Sequence, residues 1–285
     1  MPSPTLSLEV FPPRGAGAVR RLDGAMDRLE AIPLGHVSVT WGAGGSTSEA
    51  SVETVRRIAG RGHDVLAHLT CGGQSKAETA EAIGALRDAG ASAFLALRGD
   101  AEDMEGPFEP HPEGHGGSLS LIRALREAGE TDIRVAAYPN PHPDSRGREA
   151  DLDHLRAKAD AGARIAVTQF AFEAEPILRL RDRIAAAGIP LELHAGLLPI
   201  HDWAKVARFA RACGLAPPPE MDEGFRAAAR DGRADLYATA IGTEQADALM
   251  GGGIEHIHLY AMNRAGPTLR VAEAMGWIPA LAAVA

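Results

Sequence analysis

Short apolar runs alternate with longer amphipathic ones along the whole chain. Eight runs read as strands: 5–11 (TLSLEVF), 36–41, 64–70, 92–98, 133–138, 164–169, 190–195 and 255–260. Each is too short for a buried helix and rich in Val, Ile, Leu or Thr, as strands are. Between them, stretches rich in Ala, Arg, Leu and Glu predict helices over 17–31, 48–60, 75–89, 118–128, 147–162, 174–187 and 201–213. Several run into glycine, as in Asp88-Ala89-Gly90 and Ala186-Ala187-Gly188, the usual stop at a helix C-terminus. Strand–helix alternation predicts parallel βαβ units. Eight such units in 285 residues predict an α/β chain forming a single (β/α)8 TIM-type barrel, one domain over 1–285. The alternative is a doubly wound open sheet. That fold normally brings a glycine-rich first turn, and Glu9-Val10-Phe11-Pro12-Pro13-Arg14 is not one. The long stretch 196–254 between strands seven and eight predicts extra helices at 219–230 and 234–250.

The phase of the strands adds a second expectation. Successive strand side chains point to opposite faces. Leu6, Leu8 and Val10 therefore oppose Thr5, Ser7 and Glu9. Val37 and Val39 oppose His36, Ser38 and Thr40, and Val65, Ala67 and Leu69 oppose His68 and Thr70. In the last strand Ile257 and Leu259 oppose His256, His258 and Tyr260. Barrel strands are usually apolar on both faces, so a polar face in several strands is informative. The apolar face should meet the helices and the polar face should line the barrel. Buried polar groups are costly unless paired or engaged by a ligand. Three readings are open: a large polar ligand at the C-terminal mouth, a mutually hydrogen-bonded polar core, or an antiparallel sheet wetted on one side.

Composition narrows the class. Hydrophobic residues make up 45% and charged residues 24%, which fits a globular chain. There is no apolar run of about 18 residues, so no transmembrane helix is expected. The N-terminus lacks a basic segment followed by an apolar one, and no secretory signal is expected. The net charge of −9 disfavours a general nucleic-acid binder. Cys71 and Cys213 are too few for a disulfide framework, which suits a reducing cytoplasm.

Several strand ends carry candidate chemistry. Glu9 points inward near the end of the first strand, where a carboxyl group with limited water suits general acid work; a buried Glu paired to an arginine is the plainer alternative. Arg98-Gly99-Asp100 follows strand four: the glycine permits close backbone approach, the arginine can clamp phosphate and the aspartate can accept hydrogen bonds. Tyr138-Pro139-Asn140-Pro141-His142-Pro143 follows strand five. Asp151 and Lys158 lie on one face of the next helix. Arg98, His142 and Lys158 could surround a diphosphate and Asp151 could bind ribose hydroxyls; a stiff loop backed by a solvated helix is the alternative. His111-Pro112-Glu113-Gly114-His115 has a metal-like spacing, but its proline and glycine argue against the helix such a site needs. His256 and His258 point one way with no third ligand evident, so core histidines are the better reading and no metal is expected. Gly42-Ala43-Gly44-Gly45-Ser46 lacks the GK[ST] of a P-loop.

Taken in order, these segments resemble the methylenetetrahydrofolate reductase family, in its short bacterial form. The matching segments are Leu8-Glu9-Val10-Phe11-Pro12-Pro13-Arg14, Val37-Ser38-Val39-Thr40-Trp41-Gly42-Ala43, His68-Leu69-Thr70-Cys71 and Leu97-Arg98-Gly99-Asp100. They continue with Val135-Ala136-Ala137-Tyr138-Pro139, His142-Pro143, Lys158, Thr168-Gln169-Phe170, Gly196-Leu197-Leu198-Pro199 and Asn263-Arg264-Ala265. The resemblance implies a (β/α)8 barrel with non-covalent FAD. It implies NADH, or NADPH, as donor and ping-pong reduction of 5,10-methylenetetrahydrofolate to 5-methyltetrahydrofolate, a step feeding methionine synthesis. It also implies that Glu9 is the general acid and that Asp100 lies beside the flavin and the pterin. Thr40, His68, Arg98, Gly99, Asp100, Tyr138, His142, Asp151 and Lys158 would hold FAD. Gln169 and Phe209 would meet nicotinamide and folate in turn, and Arg264 would position the folate. A folate substrate, no nucleic acid or membrane partner, and a homo-oligomer as an option complete the expectation. The chain departs from the family pattern at Trp41, at Gly116-Gly117-Ser118 and at His194-Ala195. A barrel lyase or aldolase, or a non-catalytic flavin- or folate-binding relative, are the alternatives.

Overall fold

The computed structural model describes residues 4–42, 47–99, 108–142 and 144–278. Eight parallel strands close into a barrel in the order of the chain. They are β1 (Thr5–Val10), β2 (Leu34–Val39), β3 (Val65–Thr70), β4 (Ala91–Leu97), β5 (Ile133–Ala137), β6 (Ile165–Thr168), β7 (Glu192–Leu197) and β8 (His256–Tyr260). Helices α1 (Gly15–Leu29), α2 (Ser48–Ala59), α3 (Lys76–Asp88), α4 (Ser118–Glu127), α5 (Arg148–Ala161) and α6 (Glu175–Ala186) connect them in turn. Three helices, α7 (Trp203–Ala212), α8 (Pro219–Arg230) and α9 (Ala234–Gly251), lie between β7 and β8, and α10 (Ala265–Ala274) follows β8. The expected (β/α)8 barrel and both extra helices are present.

Several boundaries differ from the sequence reading by about two residues, with β2 starting two residues before the expected 36–41 and α1 two before 17–31, and one helix was missed. The seventh strand runs two residues later than the expected 190–195, because Leu191 N–H is turned back onto Ile189 O at 2.9 Å before pairing begins. Helix α10 was not expected. Gly266 and Pro267 mask its start, yet proline is well tolerated in a first helical turn, where its missing N–H has no intrahelical partner to lose.

The phase of the strands sorts the core as expected. Leu6, Leu8, Val10, Val37 and Val39 join Leu22, Met26 and Leu29 of α1 in one buried apolar layer between sheet and helices. Each such side chain, fully buried, contributes about 1.5–3 kcal/mol relative to exposure. The opposite face fills the barrel. There Leu66, Ala93, Leu95 and Val167 form a small apolar cluster. Buried polar side chains share this face: Ser7, His36, Ser38, His68, Arg134, His194 and His258.

These groups are paired across the barrel. Arg134 of β5 donates to His36 Nε2 of β2 at 3.0 Å and is held by Asp132 at 2.8 Å. Burial, reinforced by Arg134, pushes His36 down to about 2. Burial likewise lowers His194 to about 4. Burial therefore keeps His36 and His194 neutral near pH 7, within a hydrogen-bonded polar core, one of the three readings.

The inserted helices make a second core. Phe170, Leu198, Ile200, Val206, Met221 and Phe225 cluster there, with the Trp203 and Phe225 rings stacked at 4.8 Å. Among the described residues no helix is long and apolar enough to cross a membrane.

At the β6–β7 seam Gly196 N–H donates to Thr168 Oγ1 at 2.8 Å. A Cβ at Gly196 would lie 2.5 Å from Thr168 O and 2.6 Å from Tyr260 Cε2. One of these is backbone and cannot swing aside. Gly196→Ala is expected to destabilise the fold by about 2 kcal/mol or more, read from urea unfolding; an unchanged midpoint would show that the seam has slack.

Candidate active site at the C-terminal mouth

Parallel barrels place function at the C-terminal ends of their strands, where the βα loops converge. Glu9, the fifth of six residues in β1, lies at that end with its side chain 15% exposed. Its Oε2 is 3.6 Å from His68 Nε2 of β3 and 3.9 Å from His258 Nε2 of β8. His258 is fixed from below: its Nδ1 is 2.8 Å from Ser7 Oγ and its Nε2 is 3.5 Å from Ser38 Oγ. Burial lowers His68 to about 4 against the opposing pull of Glu9. Glu9 is thus flanked by two imidazoles, not paired to an arginine.

The turn that carries Glu9 is tied to the loop after β8. Asn263 Oδ1 accepts from Phe11 N–H at 3.0 Å, and Asn263 Nδ2 donates to Phe11 O at 2.8 Å. This two-way clamp requires the loop to double back. Met262 and Asn263 accordingly adopt left-handed backbone, with φ of 51° and 53°. Asparagine tolerates that conformation better than most residues. Sequence reasoning gave Asn263 no role of its own, although Asn263-Arg264-Ala265 is one of the segments that carry the family resemblance.

A second cluster lies over β2 to β5. Thr40 is buried and its Oγ1 has no hydrogen-bond partner among the described residues. Gly99 adopts φ of +92°, and a Cβ there would lie 3.2 Å from Thr70 Cβ, so the chain after β4 passes close to the end of β3. Arg98 pairs with Asp144 at 2.7 Å and lies 5.0 Å from the Phe108 ring centroid. The Tyr138 and His142 rings meet edge to face at 4.7 Å. His142 N–H donates to Asp151 Oδ2 at 3.3 Å. Lys158 is buried, donates from Nζ to Ala136 O at 2.8 Å, and is lowered by burial to about 8 although Asp151 opposes the shift. His142 is lowered first by burial and then by Arg98, with Lys158 adding to the effect.

The structure therefore brings Arg98, His142, Asp151 and Lys158 together, and adds His154, whose Nε2 is 3.5 Å from Ser118 Oγ. His154 went unassigned in the sequence although it lies between Asp151 and Lys158 on α5. Asp100 lies outside the described residues.

The third group faces the inserted helices. Gln169 follows β6, and its Oε1 accepts from Phe170 N–H at 3.0 Å. Phe209 of α7 is 41% exposed and stacks on buried Phe170 at 5.8 Å. Tyr260 donates its hydroxyl to Thr168 O at 2.7 Å, and burial raises its pKa well above the usual phenol value. Arg264 is exposed on the loop after β8 and adds to the lowering of His201, which burial begins.

A closed parallel barrel with a carboxylic acid, two flanking imidazoles and a cationic cluster at its C-terminal mouth has the construction of a barrel enzyme. The methylenetetrahydrofolate reductase family model matches residues 2–276. The chain is 32% identical to the 5,10-methylenetetrahydrofolate reductase of Pectobacterium carotovorum over 97% of its own length and 92% of the relative's. It is equally similar to the Escherichia coli protein of that name, with the same coverage. It is 30% identical to methylenetetrahydrofolate reductase (NADH) 1 of Arabidopsis thaliana, over 90% of this chain and 46% of that one. The chain belongs to the methylenetetrahydrofolate reductase family.

Among solved structures, an uncharacterized Clostridium thermocellum protein that binds two copies of 5-methyl-5,6,7,8-tetrahydrofolic acid shares the fold with a TM-score of 0.64. Identity is 10%, over 96% of this chain and 95% of that one. A 2,3-dimethylmalate lyase shares it at 0.54 and 15% identity, over 95% and 78%. At these identities the likeness is one of fold alone.

Asn263→Ala removes both bonds to Phe11 and leaves a β-carbon in left-handed backbone. We expect a loss of about 2–3 kcal/mol in urea unfolding. Asn263→Gly, which relieves the backbone but not the lost bonds, should recover part of it. Wild-type stability in Asn263→Ala would mean that the clamp carries no weight.

Proposed function

We propose that this chain reduces 5,10-methylenetetrahydrofolate to 5-methyltetrahydrofolate, with FAD held at the C-terminal mouth and NADH or NADPH as the donor. The observation that carries the reading is Glu9, held between His68 and His258 beside a cationic cluster, in a chain whose relatives bear the reductase name along nearly their whole length.

The residues present fit FAD. The buried hydroxyl of Thr40, without a partner among the described residues, offers a ligand contact, and Gly99 lets the chain after β4 pass close to the end of β3. Arg98, His142 and Lys158 supply positive charge for a diphosphate, Asp151 can accept from ribose hydroxyls, and Tyr138 and His68 would complete the cradle with Asp100. When bound, FAD carries the hydride from the nicotinamide to the folate. Gln169 and the exposed ring of Phe209 would orient nicotinamide and pterin in turn at one place, which makes turnover ping-pong, and Arg264 would steer the folate.

Glu9 does the proton work. Opening the imidazolidine ring breaks a carbon–nitrogen bond, and electrons collect on the departing nitrogen. Glu9 gives its proton to that nitrogen, leaving an iminium carbon that accepts hydride and becomes the methyl group. His68 and His258 orient the carboxyl from both sides, and Ser7 fixes His258. A positioned acid of this kind contributes a factor of about 10² to 10⁴.

Stopped-flow measurement of the two half-reactions tests this. In Glu9→Gln, reduction of bound FAD by NADH should stay within about tenfold of wild type. Reoxidation by methylenetetrahydrofolate should slow by about 10²-fold or more. Equal slowing of both halves would make Glu9 a flavin-positioning residue. Wild-type protein that takes up no FAD on reconstitution would contradict the cofactor assignment.

A further inference from the structure

The opposite end of the barrel carries a group of side chains that folate reduction leaves unused. Glu192 opens β7 and His256 opens β8, so both lie at the N-terminal mouth. Glu192 and His194 are two residues apart and share the inward phase of β7. Ala195 pairs with Ile257, so His256 lies beside His194. Strand register alone thus gathers three donors from two strands that a three-helix insertion separates in sequence. His194 Nε2 and His256 Nε2 each lie 2.9 Å from the same oxygen, Glu192 Oε1. Their rings are parallel, with centroids 4.4 Å apart. The Nδ1 atoms of both rings are buried without partners among the described residues. One ligand atom from each of the three residues falls within 4.8 Å of the others, and among the described residues no other such trio of His, Cys, Asp or Glu occurs.

We propose that Glu192, His194 and His256 form a binding site for a divalent transition-metal ion at the base of the barrel. Two imidazoles and one carboxylate select borderline ions such as Zn²⁺, Co²⁺ or Ni²⁺ over Mg²⁺ and Ca²⁺, which prefer all-oxygen shells. An ion between the three donors replaces two N–H···O contacts that now compete for one carboxylate oxygen, with a small splaying of the stacked rings. Three protein ligands leave a fourth tetrahedral position for water. The side chains of Glu192 and His256 are 51% and 25% exposed, which gives the ion a way in, while His194 is buried and forms the floor. The nearby cation Arg134 is neutralised by Asp132, so it does not bar the ion.

The three ligands stand at the starts of strands whose far ends face the folate. Glu9 pairs with Tyr260, four residues beyond His256, so at about 3.3 Å per residue their backbones are roughly 13 Å apart along the strands. The ion's role is structural, a tie between β7 and β8 across the insertion. His194, one of the departures from the family pattern, supplies the ligand that completes the site.

The test uses untagged protein stripped of metal with a chelator and then titrated with Co²⁺ and Zn²⁺. Co²⁺ should produce a visible d–d band that saturates at one equivalent per chain and is displaced by Zn²⁺. Zn²⁺ should raise the thermal midpoint, and chelator should reverse the rise. Glu192→Gln and His256→Gln alter half-exposed positions, so they should fold even if a His194 variant does not. Each should weaken Zn²⁺ binding by more than about 10-fold, with folate reduction unchanged. No saturable Co²⁺ band in wild type, or wild-type affinity retained in either variant, overturns the proposal.

Discussion

Desolvation of the polar face inside the barrel is the constraint on which the rest of the structure depends. A charged imidazole or guanidinium without a partner would be costly there. The chain meets that cost by keeping His36, His68 and His194 neutral and by giving the deeply placed guanidinium of Arg134 both Asp132 and His36. Imidazole rings then follow one another through the interior. His256 stacks on His194, His194 and His258 each lie 6.2 Å from His36, and His258 ends the series against Glu9. A small apolar cluster on β3, β4 and β6 packs beside them.

This interior divides the molecule by height. At the top, fixed imidazoles flank the part-buried Glu9, and Arg98, His142 and Lys158 gather over the ends of β4 and β5. Asn263 locks the turn after β1 to the loop after β8, so the acid is braced where the barrel closes. At the base, where reaction chemistry is not expected, the same inward phase gathers Glu192, His194 and His256. One repeated rule, polar groups on alternate strand positions, thus generates both ends.

Most of the architecture was legible in the sequence because it rests on local pattern. Alternating apolar and amphipathic runs located all eight strands, and the phase of Leu6, Leu8 and Val10 against Ser7 and Glu9 located the inside. The cluster of Arg98, His142, Asp151 and Lys158 was legible because strand ends and helix periodicity place those residues. What stayed hidden depends on contacts between distant segments. The clamp made by Asn263 was hidden because its partner, Phe11, lies about 250 residues away. The partners of His256 were hidden because the register of β8 against β7 is set across a three-helix insertion. Helix α10 was obscured by Gly266 and Pro267, whose poor intrinsic helix propensity is overridden by burial of Leu269, Val271 and Ala272.

The central claim, that burial keeps His36 and His68 neutral inside the barrel, is tested most directly by NMR titration of the histidine ring resonances. The signals of His36 and His68 would be assigned through His36→Gln and His68→Gln. His68 should begin to protonate only near pH 4 and His36 lower still, so neither should shift between pH 8 and about pH 5.5, where an unperturbed imidazole with a pKa of about 6.5 titrates. Protonation of either ring near pH 6.5 would contradict the account, because it would place water beside the groups that hold Glu9.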